Sequence, residues 1–152
     1  MTPELIYWPA TTVVGIEVRT TNAAEANPAT AEIGALWGRF LKEGVAAKMP
    51  YRAHPTRILG AYRDYESDHR GAYSLLVGVP VTKVGELPPG AVVARISEVD
   101  YLVFSAKGAM PNALIETWGA IWKHFDSPQA RSRAYTTDFE LHDTATPGRA
   151  LP

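Results

Sequence analysis

The sequence predicts an α+β fold: an antiparallel sheet with two helices on one face, built as a duplicated repeat with a groove at the pseudo-twofold axis. Three observations lead there. Segments with apolar residues at every second position alternate with two segments whose apolar residues recur at helical spacing. The order strand, helix, strand occurs twice, divided by the break at residues 85–90 that contains Pro88-Pro89. Two short motifs also recur in the same order. Trp37-Gly38-Arg39-Phe40 matches Trp118-Gly119-Ala120-Ile121, and Ala61-Tyr62-Arg63-Asp64-Tyr65-Glu66 matches Ala134-Tyr135-Thr136-Thr137-Asp138-Phe139-Glu140 with one inserted residue.

Residues 5–18 read as strand, because Val14, Ile16 and Val18 alternate in a β-branched run. Gly15 inside that run predicts a bulge or a close backbone approach. Residues 22–30 are small and polar, include Pro28, and read as loop. From Ala31 the period changes: Ile33, Leu36, Trp37, Phe40 and Leu41 line one side of a helix, with Gly44 as its C-terminal stop. Residues 45–56, with Pro50 and Pro55, read as a crossing loop. Residues 57–66 and 72–82 form a hairpin about the Ser67–Gly71 turn, with Tyr73, Leu75, Val77 and Val79 on one face.

In the second half, residues 91–96 and 101–106 read as strands. A helix follows Pro111-Asn112 and carries Leu114, Ile115, Trp118, Ile121, Trp122 and Phe125. Residues 135–143 form the next strand, and 144–152 a frayed tail. The break at 85–90 joins half-repeats of about 5–84 and 91–143 within a single domain, because neither half could bury its own apolar face. The glycine after each helical tryptophan, costly in a helix by roughly 1 kcal/mol, points to close helix packing or room for a ligand.

Composition narrows the function classes. A chain of 152 residues fits one domain with a core of ordinary size. A net charge of −1 provides no field to draw nucleic acid or a membrane surface. Nothing in the sequence reaches the ~20 apolar residues of a membrane helix. Met1-Thr2-Pro3-Glu4 lacks the basic start of a secretory signal, so a cytoplasmic location is expected. The absence of cysteine removes disulfides, thiolate nucleophiles and thiolate metal sites. His54, His69, His124 and His142 show no ligand spacing, and there is no phosphate loop or nucleophile elbow. No cofactor, no metal and no direct nucleic-acid contact are expected.

The run Ile58-Leu59-Gly60-Ala61-Tyr62-Arg63-Asp64-Tyr65-Glu66-Ser67-Asp68-His69, with Leu76-Val77-Gly78-Val79, Phe104-Ser105-Ala106-Lys107-Gly108 and residues 133–140, resembles the GyrI-like small-molecule-binding family. This is the effector-binding domain that also stands behind helix-turn-helix modules in AraC- and MerR-type regulators. The chain is similar in particular to the stand-alone integron-cassette effector-binding proteins, from about Val13 to Asp143. The resemblance implies two strand–helix–strand–strand repeats. It also implies a multidrug-type groove for hydrophobic cations, with a buried glutamate as counter-charge, which by motif falls on Glu140. Such proteins finish with another apolar strand, whereas 144–152 offers little to pair, so the last strand of the second repeat is expected to be missing.

The candidate ligand-binding residues are therefore Glu140, Tyr62, Trp118, Tyr135, Trp37 and Tyr73, with Tyr65 as a further wall. A carboxylate placed among Tyr135, Phe139, Trp118 and Trp122 is costly to bury alone, and a ligand cation could supply its partner. The bland alternatives are a solvent-facing Glu140 and aromatics that are simply core. Glu66, the motif mate of Glu140, reads as solvated. The leading function is a stand-alone effector-binding or sequestering protein for small amphipathic cations, linked to transcription regulation or drug resistance. The alternative is a hydrolase of strained, cyclopropanoid-type electrophiles using Glu140 with Tyr62 or Tyr135. A third reading is a protein partner, either a topoisomerase or the DNA-binding half of a regulator.

Overall fold

A computed structural model describes residues 4–67, 70–96, 99–103, 106–107, 112–125, 137–143 and 149–151. The first half runs β1 (Glu4–Trp8), β2 (Thr11–Thr20), α1 (Asn22–Glu25), α2 (Ile33–Lys42), α3 (Val45–Lys48), β3 (Arg57–Arg63) and β4 (Tyr73–Val81). The second half runs β5 (Val92–Ile96), β6 (Val99–Val103), β7 (Ala106–Lys107), α4 (Asn112–Phe125), β8 (Thr137–Asp143) and β9 (Arg149–Leu151).

Seven strands form one sheet in the order β5-β2-β4-β3-β8-β9-β7, and all its ladders are antiparallel. Apart from β5 at one edge, the order is mirrored about the β3–β8 pair, with β4 and β2 answered by β9 and β7. One unit, β2–α2–β3–β4, has its second strand at the centre, and so does the other, β7–α4–β8–β9. The two central strands are both seven residues long and pair end to end, from Arg57 opposite Asp143 to Arg63 opposite Thr137. Gly60 and Glu140 face each other at the midpoint.

That register corrects the motif match. Glu66 lies beyond the end of β3 and is exposed, while Glu140 sits in the middle of β8 and is buried. The residue at Glu140's place in β3 is Gly60, not Glu66. Similarity between the two tyrosine-containing runs follows strand composition, not strand position.

The sheet carries an apolar layer on each face, which is why β4 is buried along its whole length and not on one side only. On the helix side, Val14, Ile16, Leu75, Val77 and Val79 pack with Leu36 and Phe40 of α2. On the other side, Val13, Leu59, Leu76, Ile96, Phe139 and Leu141 form a second layer. Trp8 of β1 packs against it, its ring 5.1 Å from Phe139. Strict alternation along β8 therefore sends Phe139 away from Glu140. The expected grouping of Phe139 with the carboxylate is wrong for that reason.

Other local expectations also change. Residues 5–18 are two strands, because Pro9, which has no N–H to give, interrupts the run. β1 then leaves the main sheet to pair with β6 in a two-stranded ribbon. The segment 22–30 begins with a helical turn, α1, capped by Thr21, whose Oγ1 accepts from Ala24 N at 3.0 Å. Residues 45–56 likewise contain α3. The missing last strand is present, though short: β9 pairs Leu151 with Leu141 and Ala150 with His142. Gly15 makes the close approach expected of it. It lies opposite Gly78, and a Cβ there would overlap the Val77 carbonyl oxygen. Gly38 and Gly119, by contrast, have nothing within 4 Å among the described residues and mark no close helix packing there.

Candidate ligand-binding site

The apolar stripes of α2 and α4 are wider than a core needs, and the surplus builds a cavity. On α2, Leu36 and Phe40 enter the core, while Ile33, Trp37 and Leu41 turn to the gap between the helices. On α4, Ile121 is buried, while Leu114, Ile115, Trp118 and Trp122 face that gap. Leu41 and Ile115 are each 65% exposed and Trp122 41%, so the cavity has an apolar mouth open to water. Its volume is about 710 Å³, within the range of small-molecule sites. Tyr62, Tyr65 and Tyr73 form one wall, and Asn22 and Glu25 of α1 close one end.

Glu140 is on the floor, 1% exposed. It accepts a hydrogen bond from Tyr62 Oη at 2.8 Å and one from Trp118 Nε1 at 2.6 Å, both on Oε2. Its other oxygen, Oε1, lies 3.3 Å from His142 Nε2. Gly60 makes this arrangement possible. A Cβ at that position would stand 3.1 Å from Glu140 Oε1 and 3.6 Å from Trp37 Cζ2.

The aromatic side chains brace one another around the carboxylate. Tyr62 lies edge-on to Trp118 at 5.3 Å, and tilted against Tyr73 at 5.7 Å. Trp37 meets the His142 ring edge-on at 4.9 Å. The outer phenols are tied to polar partners, Tyr73 to Asn22 Oδ1 at 3.0 Å and Tyr65 to Asp138 Oδ2 at 2.6 Å. Burial, then the nearby Glu140 charge, pushes the Tyr62 phenol well above its usual range. Burial, then Glu25 and Glu140, pushes Tyr73 up to about 12. Both phenols are therefore neutral hydrogen-bond donors at physiological pH. Glu25 has a structural duty as well: its carboxylate accepts from the backbone N–H of Glu32 and Ile33 at 2.9 and 3.0 Å and so caps α2.

Of the six residues read from the sequence, the structure brings Glu140, Tyr62, Trp118, Trp37 and Tyr73 to this one cavity. Tyr135 lies outside the described residues. Sequence reasoning missed His142, Glu25 and Asn22. The signal for His142 was available, because residues 138, 140 and 142 share one face of a strand. Among the described residues, no three His, Asp or Glu side chains converge on a metal position, and no helix is long and apolar enough to cross a membrane.

A cavity of this size between two helix-bearing repeats, floored by a carboxylate, is the architecture of a small-molecule effector-binding domain. The chain belongs to the Cass2 family, the integron-associated effector binding proteins, which it matches over residues 4–149. An integron cassette protein from the mobile metagenome of Vibrio cholerae, VCH_CASS2, superposes with a TM-score of 0.82 at 35% identity, over 99% of this chain and 92% of that one. SAV2435, solved bound to tetraphenylphosphonium, superposes with a TM-score of 0.77 at 25% identity, over 99% and 90%. YobU of Bacillus subtilis (strain 168), whose name proposes a transcriptional regulator, is 30% identical over 90% of this chain and 84% of its own length.

Proposed function

We propose that this protein takes up amphipathic organic cations in the α2–α4 cavity, as a stand-alone effector-binding or sequestering module, with Glu140 as the ligand's counter-charge. The observation that carries the reading is the buried Glu140 carboxylate: one oxygen is held by two neutral donors, the other lies 3.3 Å from His142 Nε2, and the residue is part of the lining of a cavity rich in aromatic rings. The tetraphenylphosphonium ligand of SAV2435 supports the same chemical class. Trp37, Trp118, Tyr62 and Tyr73 supply ring faces worth about 0.5–2 kcal/mol each to a desolvated cation. Selectivity for charge comes from Glu140. At an effective dielectric constant of about 20 and a separation of about 5 Å, its attraction for a unit cation is about 3 kcal/mol before desolvation.

Tryptophan-fluorescence titration tests the reading, with tetraphenylphosphonium as the cation and triphenylphosphine oxide as a neutral analogue. Glu140→Gln should weaken the cation at least tenfold, which is about 1.4 kcal/mol, and leave the neutral compound within about twofold. Glutamine fits the same space, its oxygen replacing Oε2 beneath Tyr62 and Trp118, so the variant should fold. Equal cation affinities for the two proteins would sink the proposal.

A second reading draws on one observation, the 2.8 Å contact between Tyr62 and Glu140. Such a pair could hydrate a strained electrophile, with the carboxylate directing water and the phenol supplying a proton. Tyr62 is poorly set for that part, since its hydroxyl already donates to Glu140 and its acidity is suppressed. Mass spectrometry of a cyclopropanoid compound incubated with the protein separates the readings, because turnover yields a hydrated product and binding returns the compound unchanged.

A further inference from the structure

We propose that His142 is the resident counter-ion of Glu140, and that an organic cation entering the cavity takes its place and releases its proton. The proposal rests on the binding reading above and adds to it a residue and an exchange. No lysine or arginine is among the described residues that line the cavity. The Glu140 carboxylate is nevertheless buried, and an ionised carboxylate taken out of water without a partner charge is strongly disfavoured. His142 Nε2, 3.3 Å from Oε1, is the group placed to supply that charge. Its side chain keeps 21% of its exposure, so its proton has a path to water. Trp37 holds the ring from the α2 side by edge contact.

The other groups around this pair do not compete for the role. From β3 and β4 come Tyr62 and Tyr73, both neutral donors wherever an imidazole changes charge. Tyr65 donates to Asp138, a carboxylate on the same face of β8. Glu25, from α1, is engaged with the start of α2 and with Thr20. The cavity-lining residues of α2 and α4 carry no charge. Among the described residues, the formal charges around the cavity are thus three carboxylates and one imidazole that can become a cation. A bound onium ion and an imidazolium would repel each other across one carboxylate, so each opposes the other's binding. Acid favours the imidazolium and weakens the ligand, and affinity climbs as the pH rises and the ring gives up its proton.

Calorimetric titration of the full chain with tetraphenylphosphonium, at about pH 6 and about pH 8 in buffers of unequal protonation heat, reads affinity and proton release together. The expected result is release of up to one proton at the lower pH and little at the higher. Affinity should be at least about threefold greater at pH 8, and His142→Gln should abolish both effects. Proton release of wild-type size in the variant, or pH-independent wild-type affinity, overturns the proposal. A ligand-free arm follows the ring-nitrogen chemical shifts of His142 from acid to alkaline pH in both proteins. A ring that keeps its proton to higher pH in the wild type than in Glu140→Gln supports the pair, and coincident curves overturn it. If tetraphenylphosphonium fails to bind even at pH 8, the cation-binding reading falls on its own, and the ligand-free arm still decides whether His142 is the counter-ion.

Discussion

Replacing Tyr62 with phenylalanine removes a single oxygen atom from the floor of the cavity and leaves the ring contacts with Trp118 and Tyr73 in place. What is lost is the 2.8 Å bond to Glu140 Oε2, which then keeps Trp118 Nε1 alone. A hydrogen bond to a charged group contributes about 1.5–3 kcal/mol, against about 0.5–1.5 for a neutral pair. For a chain near 150 residues, 1 kcal/mol moves the thermal midpoint by about 2–4 °C. Tyr62→Phe should therefore lower the midpoint by roughly 3–12 °C. Combining it with Glu140→Gln isolates the charged part of the interaction. In that background the hydroxyl meets an amide oxygen, and its removal should cost about 1 kcal/mol less than in the wild type. Thermal denaturation of the four proteins, followed by circular dichroism at pH 7, gives both numbers. If Tyr62→Phe melts with the wild type, or costs as much beside glutamine as beside glutamate, the carboxylate does not depend on this bond and the description of the site is wrong.

Glycine positions give two opposed tests. Gly15→Ala drives a methyl into the Val77 carbonyl oxygen and should cost more than about 3 kcal/mol in urea denaturation, or prevent folding. Gly119→Ala has open space and should stabilise α4 by about 0.5–1 kcal/mol; a loss there would show that something unseen packs against it. The raised phenols of Tyr62 and Tyr73 predict alkaline lability. Both retain their protons in the folded chain past the unfolded value of 10.0, so their contribution is complete below that pH and drains away above it, for Tyr73 as the pH rises towards about 12. Thermal midpoints should fall less steeply above about pH 10 in a Tyr62→Phe, Tyr73→Phe double variant than in the wild type, and parallel decline would refute the linkage.

Much of this was legible because helices announce themselves by a long-range period. Ile33 to Leu41 and Leu114 to Phe125 carry apolar residues at helical spacing, and α2 and α4 form there. Which part of each stripe becomes core and which becomes cavity is not in the period. Leu36 and Leu41 look alike in sequence; one is buried and the other exposed because the second helix stands off. Short strands were the other blind spot. β7 and β9 span two and three residues, too few to show alternation, and exist because neighbouring strands pair with them. Within the site, the resemblance pointed to Glu140, whereas strand parity alone could have separated Phe139 from it and joined His142 to it.

The midpoint of the central ladder explains why a symmetric scaffold carries an asymmetric site. β3 and β8 hold equivalent places in their repeats and meet with Gly60 facing Glu140. If the repeats were identical at this position, two glutamates would stand opposite each other on one ladder, and like charges so close destabilise a sheet. Two glycines would leave the floor without charge. One of each solves both problems: the missing side chain on β3 vacates the space that Glu140 Oε1 fills, within 3.1 Å of where a Cβ would be. Alanine at position 60 would press on the oxygen that faces His142, while leaving Tyr62 and Trp118 on the other. The axis of the fold supplies the position, and the difference between the two repeats supplies the charge.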